Sequence, residues 1–272
     1  MTILVTGATG LVGERLVPRL MEAGIDCRVL VRAGKIAPPG AATAEGELFD
    51  AASLERAVEG VSAIVHLAAV FRTKDDELIW KSNLEGTRNL IAATKSRSPQ
   101  ARFIMASTSN IYDADAPRPG REVDAANPKH AYPASKLAAE EELRGSGLTW
   151  SVLRFAFVYG ENDGHLESMA KLAADGMKFQ PAARMSMVHH SDIANAVKLA
   201  LSGALDRHVV NIADDAPTSI YELFKLIGAA IEPSAEPLRN PWHLHVDNSL
   251  ARQLGFKPRV RTVFQAAQKS LL

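Results

Sequence analysis

The sequence predicts an α/β protein built on a doubly wound parallel sheet, with a small C-terminal cap that binds the substrate. Two observations support this. Short apolar runs alternate with helical patterns over residues 1–160, and a glycine-rich turn separates the first run from the first helix. The alternation weakens after residue 160, where prolines interrupt the helical patterns. We therefore expect a Rossmann-type domain over 1–160, to which 189–213 return, and a cap made of 161–188 and 214–272.

The first thirteen residues contain the glycine-rich turn. An apolar strand over 3–5 leads into Gly7, Gly10 and Gly13, and apolar residues then recur at helical intervals from Leu11 to Leu20. Glycines allow the backbone to approach a pyrophosphate, and the free N–H groups at the start of a helix face the anion. The GxxGxxG spacing differs from the general GxGxxG fingerprint. Alone, it indicates either dinucleotide binding or close packing of a strand on a helix.

The other elements follow in order along the chain. Apolar runs predict strands at 27–31, 44–48, 63–67, 102–107 and 149–155. Helical patterns predict a helix ending at Gly24, one capped by Ser53, and longer helices over 76–96 and 132–146. After residue 160 we expect a helix over 163–176 and an irregular segment over 177–188 in the cap, followed by a helix capped by Ser191 and a strand over 209–212 that return to the Rossmann-type domain. Pro233, Pro237, Pro241 and Pro258 break the remainder into short helices.

The composition excludes several classes of protein. Lys plus Arg and Asp plus Glu each number 31, so the neutral net charge predicts no nucleic-acid or anionic-membrane partner. The single cysteine, Cys27, cannot form a disulfide within the chain and fits a reducing compartment. The first strand begins at residue 2 or 3, and no apolar run reaches the roughly twenty residues of a membrane span. We therefore expect a cytoplasmic protein without a membrane anchor.

A tyrosine and a lysine begin the helix that follows the fifth strand. Tyr132 and Lys136 are four residues apart, so both project from one helix face. An ammonium group near a phenol lowers its pKa from about 10 and makes it a usable acid and base. A lone YxxxK pair is usually an ordinary surface pair. Here the preceding strand ends in hydroxyl groups at Ser107, Thr108 and Ser109, where a nicotinamide would lie.

The order and spacing of eight motifs resemble the extended branch of the short-chain dehydrogenase/reductase superfamily. That branch includes NAD(P)-dependent epimerases, dehydratases and dihydroflavonol-reductase-like enzymes. The motifs are TGATGLVG (6–13), HLAA (66–69), NLEGTRN (83–89), STSNIY (107–112), YPASK (132–136), LRFAFVYG (153–160), HHSDIA (189–194) and VNIA (210–213). Each motif alone is a moderate signal at most, whereas the set is specific.

The resemblance implies a role for each matched residue. Thr108 would hydrogen-bond the substrate oxygen, Tyr132 would transfer the proton, and Lys136 would bind the ribose and tune Tyr132. Other cofactor contacts would come from the glycine turn and the strand ends: Gly7, Gly10, Leu11, Val12, Gly13, Glu47, Leu48, Leu67, Ala68, Ala69, Asn83 (behind Lys136), Ser107, Phe155 and Val158. No metal is expected. We expect His66, His189 and His190 to serve the fold, and Asp192 to cap a helix or anchor a loop.

The charge at the end of the second strand favours NADP over NAD. An acidic residue about twenty positions after the glycines would bind the ribose 2′-hydroxyl of NAD. Here Arg32 occupies that region, with Lys35 close by, and a guanidinium suits the 2′-phosphate of NADP. A surface arginine paired with a neighbouring acid is the alternative, and NAD is then the cofactor.

Two departures from the family's nucleotide-sugar enzymes narrow the substrate. Dehydratases carry Asp-Glu after the catalytic threonine, whereas this chain has Ser109-Asn110. Phe157 stands where nucleotide-sugar enzymes place an asparagine toward the substrate pyrophosphate. We therefore expect a small carbonyl or alcohol substrate that reacts beside Thr108 and packs against Phe71, Phe157 and Met187.

Three functions remain open at this stage. We favour an NADP-dependent reductase or dehydrogenase that moves hydride between nicotinamide and a carbonyl carbon. An NAD(P)-dependent sugar or nucleotide-sugar epimerase is the second function, and it would show no net redox turnover. The third is a non-catalytic NADP-binding redox sensor, which would typically lack the Tyr132 and Lys136 pair.

The family also forms dimers through paired helices. We expect a homodimer through the helices near 78–96 and 132–146. An apolar stripe on the second helix supports this, formed by Ala134, Leu137, Ala138 and Leu143. The apolar character of this stripe would also be explained if the helix packed against the sheet.

Overall fold

A computed structural model describes the complete chain, residues 1–272, as an α/β fold around one parallel sheet. The sheet strands are β1 (Thr2–Thr6), β2 (Asp26–Val31), β3 (Ala42–Glu45), β4 (Ala63–His66), β5 (Arg102–Thr108), β6 (Thr149–Phe155) and β10 (Val209–Ile212). Their order across the sheet is β10-β6-β5-β4-β1-β2-β3, and all neighbours are parallel. The chain moves outward from β1 to β3 and then returns to β4 on the other side of β1. This reversal opens a crevice at the carboxyl ends of β1 and β4.

Helices cover both faces of the sheet, as predicted. They are α1 (Gly13–Glu22), α2 (Ala51–Val58), α3 (Asp76–Trp80), α4 (Gly86–Arg97), α5 (Ala131–Gly145) and α7 (His190–Leu201). Successive strand residues point to opposite faces. In β1, Ile3 and Val5 pack toward α1 and α7, whereas Leu4 packs toward α2, α4 and α5. An unbroken apolar run is therefore needed, because both faces of the strand are buried.

The C-terminal elements form a smaller core over the carboxyl edge of the sheet. They are β7 (Phe157–Tyr159), α6 (His165–Ala174), β8 (Arg184–Met185), β9 (Met187–His189), β11 (Thr218–Ser219), α8 (Ile220–Leu226) and α10 (Val263–Gln268). Helix α9 (Ser249–Gln253) packs against β10 instead and buries Ala251 in the main core. Strand β7 pairs in parallel with β9, and β8 pairs antiparallel with β11. Buried residues such as Met169, Phe224 and Val263 fill this core. We call this part the cap.

Several predicted boundaries were wrong by a few residues. Strand β3 is earlier than predicted, and 177–188 contains β8 and part of β9 rather than only irregular chain. The predicted helix over 76–96 is interrupted by a π-helical turn at Lys81–Glu85.

Two predicted helix caps were also wrong. Helix α2 is capped by Asp50, whose Oδ1 accepts hydrogen bonds from the Ala52 and Ser53 N–H groups at 3.1 and 3.2 Å, not by Ser53. Helix α7 is capped by His189, whose Nδ1 accepts from the Ser191 N–H at 3.1 Å, not by Ser191. In both cases a side chain two or three residues earlier reaches the free N–H groups first.

The longest helix, α5, has 15 residues. None of the helices combines the length and the apolar character that crossing a membrane requires.

Candidate active site

A cavity of about 840 Å³ runs along the carboxyl edge of the sheet. Seventeen of the eighteen residues predicted to bind the cofactor or act on the substrate line it: Gly7, Gly10, Leu11, Val12, Gly13, Arg32, Glu47, Leu48, Leu67, Ala68, Ala69, Ser107, Thr108, Tyr132, Lys136, Phe155 and Val158. Phe71 and Phe157, predicted to contact the substrate, also line it. The topology brings these residues together because parallel strands end at one edge of the sheet.

The glycine turn has the properties that a pyrophosphate site requires. The N–H groups of Leu11, Val12 and Gly13 make no hydrogen bond within the protein, and they lie at the start of α1 beside the cavity. A Cβ on Gly13 would lie 2.2 Å from the Gly7 carbonyl oxygen, and one on Gly7 would lie 2.6 Å from the Ala68 nitrogen. The glycines therefore allow close packing, while three free donors remain for an anion. This part of the chain fits a dinucleotide.

Thr108 and Tyr132 present two hydroxyl groups to the same cavity. Thr108 ends β5, and its Oγ1 accepts a hydrogen bond from the Asn110 N–H at 3.2 Å. Because that contact uses only a lone pair, the hydroxyl proton of Thr108 is free for another acceptor. Tyr132 lies in the first turn of α5, and its ring packs 5.6 Å from the ring of Phe71.

Burial governs the protonation of the tyrosine and lysine pair. It raises the pKa of Tyr132 to about 12 and lowers the pKa of Lys136 to about 8. The sequence-based expectation of a lowered tyrosine pKa was therefore wrong for this structure, because desolvation of the phenol outweighs any attraction from Lys136. At neutral pH, Tyr132 is the neutral phenol and can act as a proton donor.

A buried ion pair contacts Ser107 near the carboxyl end of β5. Arg154 on β6 donates to both carboxylate oxygens of Glu140 on α5, and its Nη2 lies 2.6 Å from Oε2. Glu140 also accepts a hydrogen bond from the Ser107 hydroxyl. From Arg154 the network continues to the Tyr112 hydroxyl at 3.0 Å, which donates to Asn211 at 2.7 Å. Neither Glu140 nor Tyr112 was predicted, although Glu140 is four residues after Lys136 on one helix face.

Comparison with known proteins agrees with this geometry. The family model described as NAD dependent epimerase/dehydratase matches residues 3–213, which include nearly the whole sheet and Thr108, Tyr132 and Lys136. The chain belongs to this family. Membership confirms the resemblance, the α/β fold and the class of nicotinamide-dependent enzymes predicted from the sequence.

Individual relatives of this epimerase/dehydratase family include both reductases and epimerases. A ceramide reductase from Caulobacter vibrioides is 29% identical over 199 residues, covering 71% of this chain and 58% of that protein. The 4-hydroxy-2-methyl-3-oxo-4-farnesyl-3,4-dihydroquinoline-1-oxide ketoreductase from Stigmatella aurantiaca is 27% identical over 244 residues, covering 84% and 72%. The crystal structure of UDP-glucose 4-epimerase from Thermotoga maritima with UDP-glucose superposes with a TM-score of 0.81 at 25% identity, covering 98% and 96%. The chain thus spans about three fifths of the first relative's length.

Two predicted site residues do not line the cavity. Asn83 is fully buried in the π-helical turn, where it exchanges hydrogen bonds with the Val70 backbone at 2.8 and 3.0 Å and donates to Ser135 at 3.0 Å. It fixes the loop that carries Phe71 to α5 and is not a cofactor contact. Met187 is fully buried in the cap because β9 pairs with β7. Met185, on the neighbouring β8, lines the cavity instead.

Three polar residues outside the cavity, His66, His189 and Asp192, make hydrogen bonds that support the fold. His66 lies 2.7 Å from the Thr6 hydroxyl and 2.9 Å from the Thr87 hydroxyl, and burial lowers its pKa to about 3. His189 Nε2 donates to the Leu271 carbonyl at 3.0 Å. Asp192 accepts hydrogen bonds from the Arg259 and Val260 N–H groups at 2.7 and 3.0 Å, so it anchors a loop.

The two ends of the cavity have different chemistry. Arg32 and Lys35 line the end beyond β2, and neither forms an ion pair with an acid of this chain. At the other end the cap adds residues that sequence reasoning missed: His165, Met185, Ser186 and Leu244. No local pattern identifies them, because their position depends on how the cap packs over the sheet.

A second cavity of about 380 Å³ adjoins Tyr132. Both cavities are lined by Ser109, Asn110, Tyr132 and Leu244. Beyond them the smaller cavity is lined by polar and aromatic side chains, among them Arg118, His130, Trp242 and His243. The two cavities therefore leave space on both sides of Tyr132.

Proposed function

We propose that this protein is an NADP-dependent reductase or dehydrogenase that acts on a small carbonyl or alcohol. One observation carries the proposal: Thr108, Tyr132 and Lys136 line the same cavity as the free N–H groups of the glycine turn. A non-catalytic sensor would have no need for an acid, a hydrogen-bond donor and a buried lysine at the nicotinamide end.

The side chains divide the chemistry between them. A nicotinamide dinucleotide bound along the cavity supplies or accepts the hydride. Thr108 donates its free hydroxyl proton to the substrate oxygen and holds it beside Tyr132. The neutral Tyr132 phenol donates its proton to that oxygen during reduction, and accepts it back during oxidation. Lys136 and Ser107 position the ribose and nicotinamide side, with Glu140 held behind Ser107 by Arg154.

The walls around the reactive groups favour a substrate with an apolar body. Phe71, Phe157, Met185 and Leu244 line this end of the cavity. Phe157 cannot donate the hydrogen bond that an asparagine would give to a diphosphate. These features support a small ketone, aldehyde or alcohol rather than a nucleotide sugar.

A reduction assay with added cofactor tests this function. We expect consumption of NADPH with a panel of small ketones and aldehydes, and a kcat about 10²–10⁴-fold lower in Tyr132→Phe with cofactor binding retained. Thr108→Val should lower kcat while its apolar packing is kept. Unchanged turnover in Tyr132→Phe would refute the proton-transfer role. Turnover of nucleotide sugars alone would refute the small-substrate proposal.

The proposed preference for NADP rests on Arg32. Its unpaired guanidinium and the neighbouring Lys35 suit a 2′-phosphate. We expect Arg32→Ala to raise the KM for NADPH about 10- to 100-fold, because a charge-assisted hydrogen bond is lost. The KM for NADH should change about twofold at most. Equal effects on both cofactors, or a wild-type preference for NADH, would contradict this preference.

An epimerase is the second candidate, because the UDP-glucose 4-epimerase superposes over nearly the whole chain. Epimerases oxidise and re-reduce the substrate within one cycle. Incubation of UDP-glucose with the enzyme and NAD, followed by separation of the sugar nucleotides, distinguishes the two functions. Formation of UDP-galactose without net reduction of NAD would favour the epimerase.

We also propose that the protein forms a homodimer through α3, α4 and α5. Helix α3 exposes two large apolar side chains, Leu78 and Trp80, beside α5. Ala134, Leu137 and Ala138 on α5 are only partly buried by the monomer. Such exposed apolar groups are typical of an interface between helices.

A further inference from the structure

A histidine at the start of α6 has an unused acceptor at the substrate end of the cavity. His165 stacks on Phe157, with ring centroids 4.3 Å apart and an angle of 23° between the ring planes. Its Nδ1 lies 2.8 Å from the Val158 carbonyl oxygen. A carbonyl oxygen can only accept, so Nδ1 carries the proton. In the neutral ring the lone pair is therefore on Nε2.

His165 lines the cavity, and its Nε2 atom is not buried. It makes no hydrogen bond within the protein, and it is not one of the buried unpaired atoms. The ring itself lines the cavity together with Phe157, Met185 and Leu244. A largely apolar wall that carries a fixed acceptor can select a ligand by a hydrogen bond.

Three contacts fix the orientation of this ring. Phe157 supports one face, Val158 holds Nδ1, and the His165 N–H donates to Asp163 Oδ1 at 2.8 Å. Asp163 is in turn held by His190, whose Nε2 lies 2.8 Å from Oδ2. Burial lowers the pKa of His165, and the nearby Arg72 and His190 act in the same direction, against the carboxylate of Asp163. The ring is therefore neutral near pH 7, and its acceptor is available.

We propose that His165 is a specificity-determining residue whose Nε2 accepts a hydrogen bond from a hydroxyl group of the substrate. This hydroxyl lies outside the reacting carbonyl, which Thr108 and Tyr132 bind. The preferred substrates are accordingly hydroxylated ketones or aldehydes with an otherwise apolar body. The inference rests on the proposed reductase function and adds the substrate class to it.

Two variants separate the acceptor from the structural role of the ring. The amide of asparagine lies where Nδ1 lies, so His165→Asn can keep the bond to Val158 but loses the acceptor at Nε2. The longer His165→Gln places an amide near the position of Nε2 and loses the bond to Val158. Lys171→Ala, at an exposed position on the same helix, is the control for changes in α6. Thermal unfolding of each variant checks that it is folded.

The readout is the ratio of kcat/KM for a hydroxyketone to that for the ketone of the same carbon skeleton, measured with NADPH over a panel of such pairs. The wild-type enzyme and Lys171→Ala should favour the hydroxylated member about 3- to 10-fold for the best pair. His165→Asn should lose this preference, and His165→Gln should retain part of it. The inference about His165 is overturned if the wild-type enzyme reduces ketones without such a preference, or if the preference persists in His165→Asn. Either result leaves the proposed reductase function standing. No reduction of any carbonyl compound by the wild-type enzyme overturns the proposed function, and this inference with it.

Discussion

Burial of the charged Lys136 side chain lowers the stability of the folded protein. Its side chain is 1% exposed, and burial lowers its pKa from 10.5 to about 8, opposed only by Glu140. The unfolded chain therefore binds this proton more tightly than the folded chain. The contribution of Lys136 to stability is least favourable below pH 8 and improves as the pH rises from about 8 to about 10.5.

Lys136→Met tests this cost. Methionine keeps an unbranched side chain without the charge, and Glu140 keeps its partner Arg154. We expect the free energy of unfolding at pH 7 to rise by ~1–3 kcal/mol, while turnover is lost. Urea unfolding measures the free energy of unfolding at pH 7 and at pH 10. The gain in stability of Lys136→Met over the wild type should be smaller at pH 10. A variant less stable than the wild type at pH 7 would show that Lys136 contributes packing that outweighs its desolvation.

The Glu140–Arg154 pair should behave differently from the surface pair Glu142–Arg88, whose acid lies on the same helix as Glu140. Its side chains are 1% and 5% exposed, whereas those of Glu142 and Arg88 are 41% and 50% exposed. Glu140→Gln leaves a buried guanidinium without its counter-charge and should lower the free energy of unfolding by about 3–5 kcal/mol. Glu142→Gln, the matched control, should cost ~1 kcal/mol at most. If urea unfolding showed equal losses of free energy of unfolding for Glu140→Gln and Glu142→Gln, the proposed importance of the buried pair would be contradicted.

Residues on sequence motifs were the predictable part of the site. Gly7, Thr108 and Tyr132 lie at strand ends or helix starts, so the topology alone carries them to one edge. Met187 and Met185 could not be distinguished, because the two short strands that hold them pair with segments about thirty residues away. His165 was missed for a related reason: its orientation depends on a stack with Phe157 across a loop.

Secondary structure was predictable where one element buries a long apolar surface. Strands such as β1 and β6 are buried on both faces, so an apolar run identifies them. Strands β8 and β9 have only two and three residues and no period of their own. Helix starts were misplaced because a cap is chosen by side-chain reach, and Asp50 and His189 lie just before the serines that the pattern suggested.

The junction between β10 and the cap contains a carboxyl group that opposes folding at high pH. Asp214 follows β10 and is 5% exposed. Its Oδ1 accepts from the Ala216 N–H at 3.3 Å, and its Oδ2 has no partner. Burial raises its pKa from 3.8 to about 8, and Asp192 adds to the rise. Because the folded chain binds the proton more tightly, stability from this group falls as the pH rises from about 4 to about 8.

Asp214→Asn removes the ionisation and keeps the shape. We expect the variant to be more stable than the wild type by ~1–3 kcal/mol at pH 8.5 and nearly equal to it at pH 4.5. Asp175→Asn, at an exposed position after α6, should change stability equally little at both pH values. Urea unfolding at the two pH values measures the differences. If the difference in free energy of unfolding between Asp214→Asn and the wild type were the same at both pH values, this carboxyl group would be ionised in the folded protein at pH 4.5 as well as at pH 8.5.

The proposed homodimer would form through the helices beside Tyr132 and Lys136. Leu78 and Trp80 are 45% and 38% exposed on α3, which packs against the helix that carries Tyr132 and Lys136. A dimer through α3, α4 and α5 would bury these side chains and restrain α5, and with it the catalytic pair. Disruption of the interface is then expected to lower stability and turnover together.

Trp80→Glu tests this arrangement, because a carboxylate buried in an apolar interface is strongly unfavourable. We expect light scattering to give twice the chain mass of 29.3 kDa for the wild type and the mass of one chain for the variant. Val123→Glu changes an apolar residue that is 88% exposed and lies outside these three helices, and it should remain dimeric. A monomeric wild type would exclude the dimer at the concentration measured. A dimer that persists in Trp80→Glu would place the interface on another surface of the molecule.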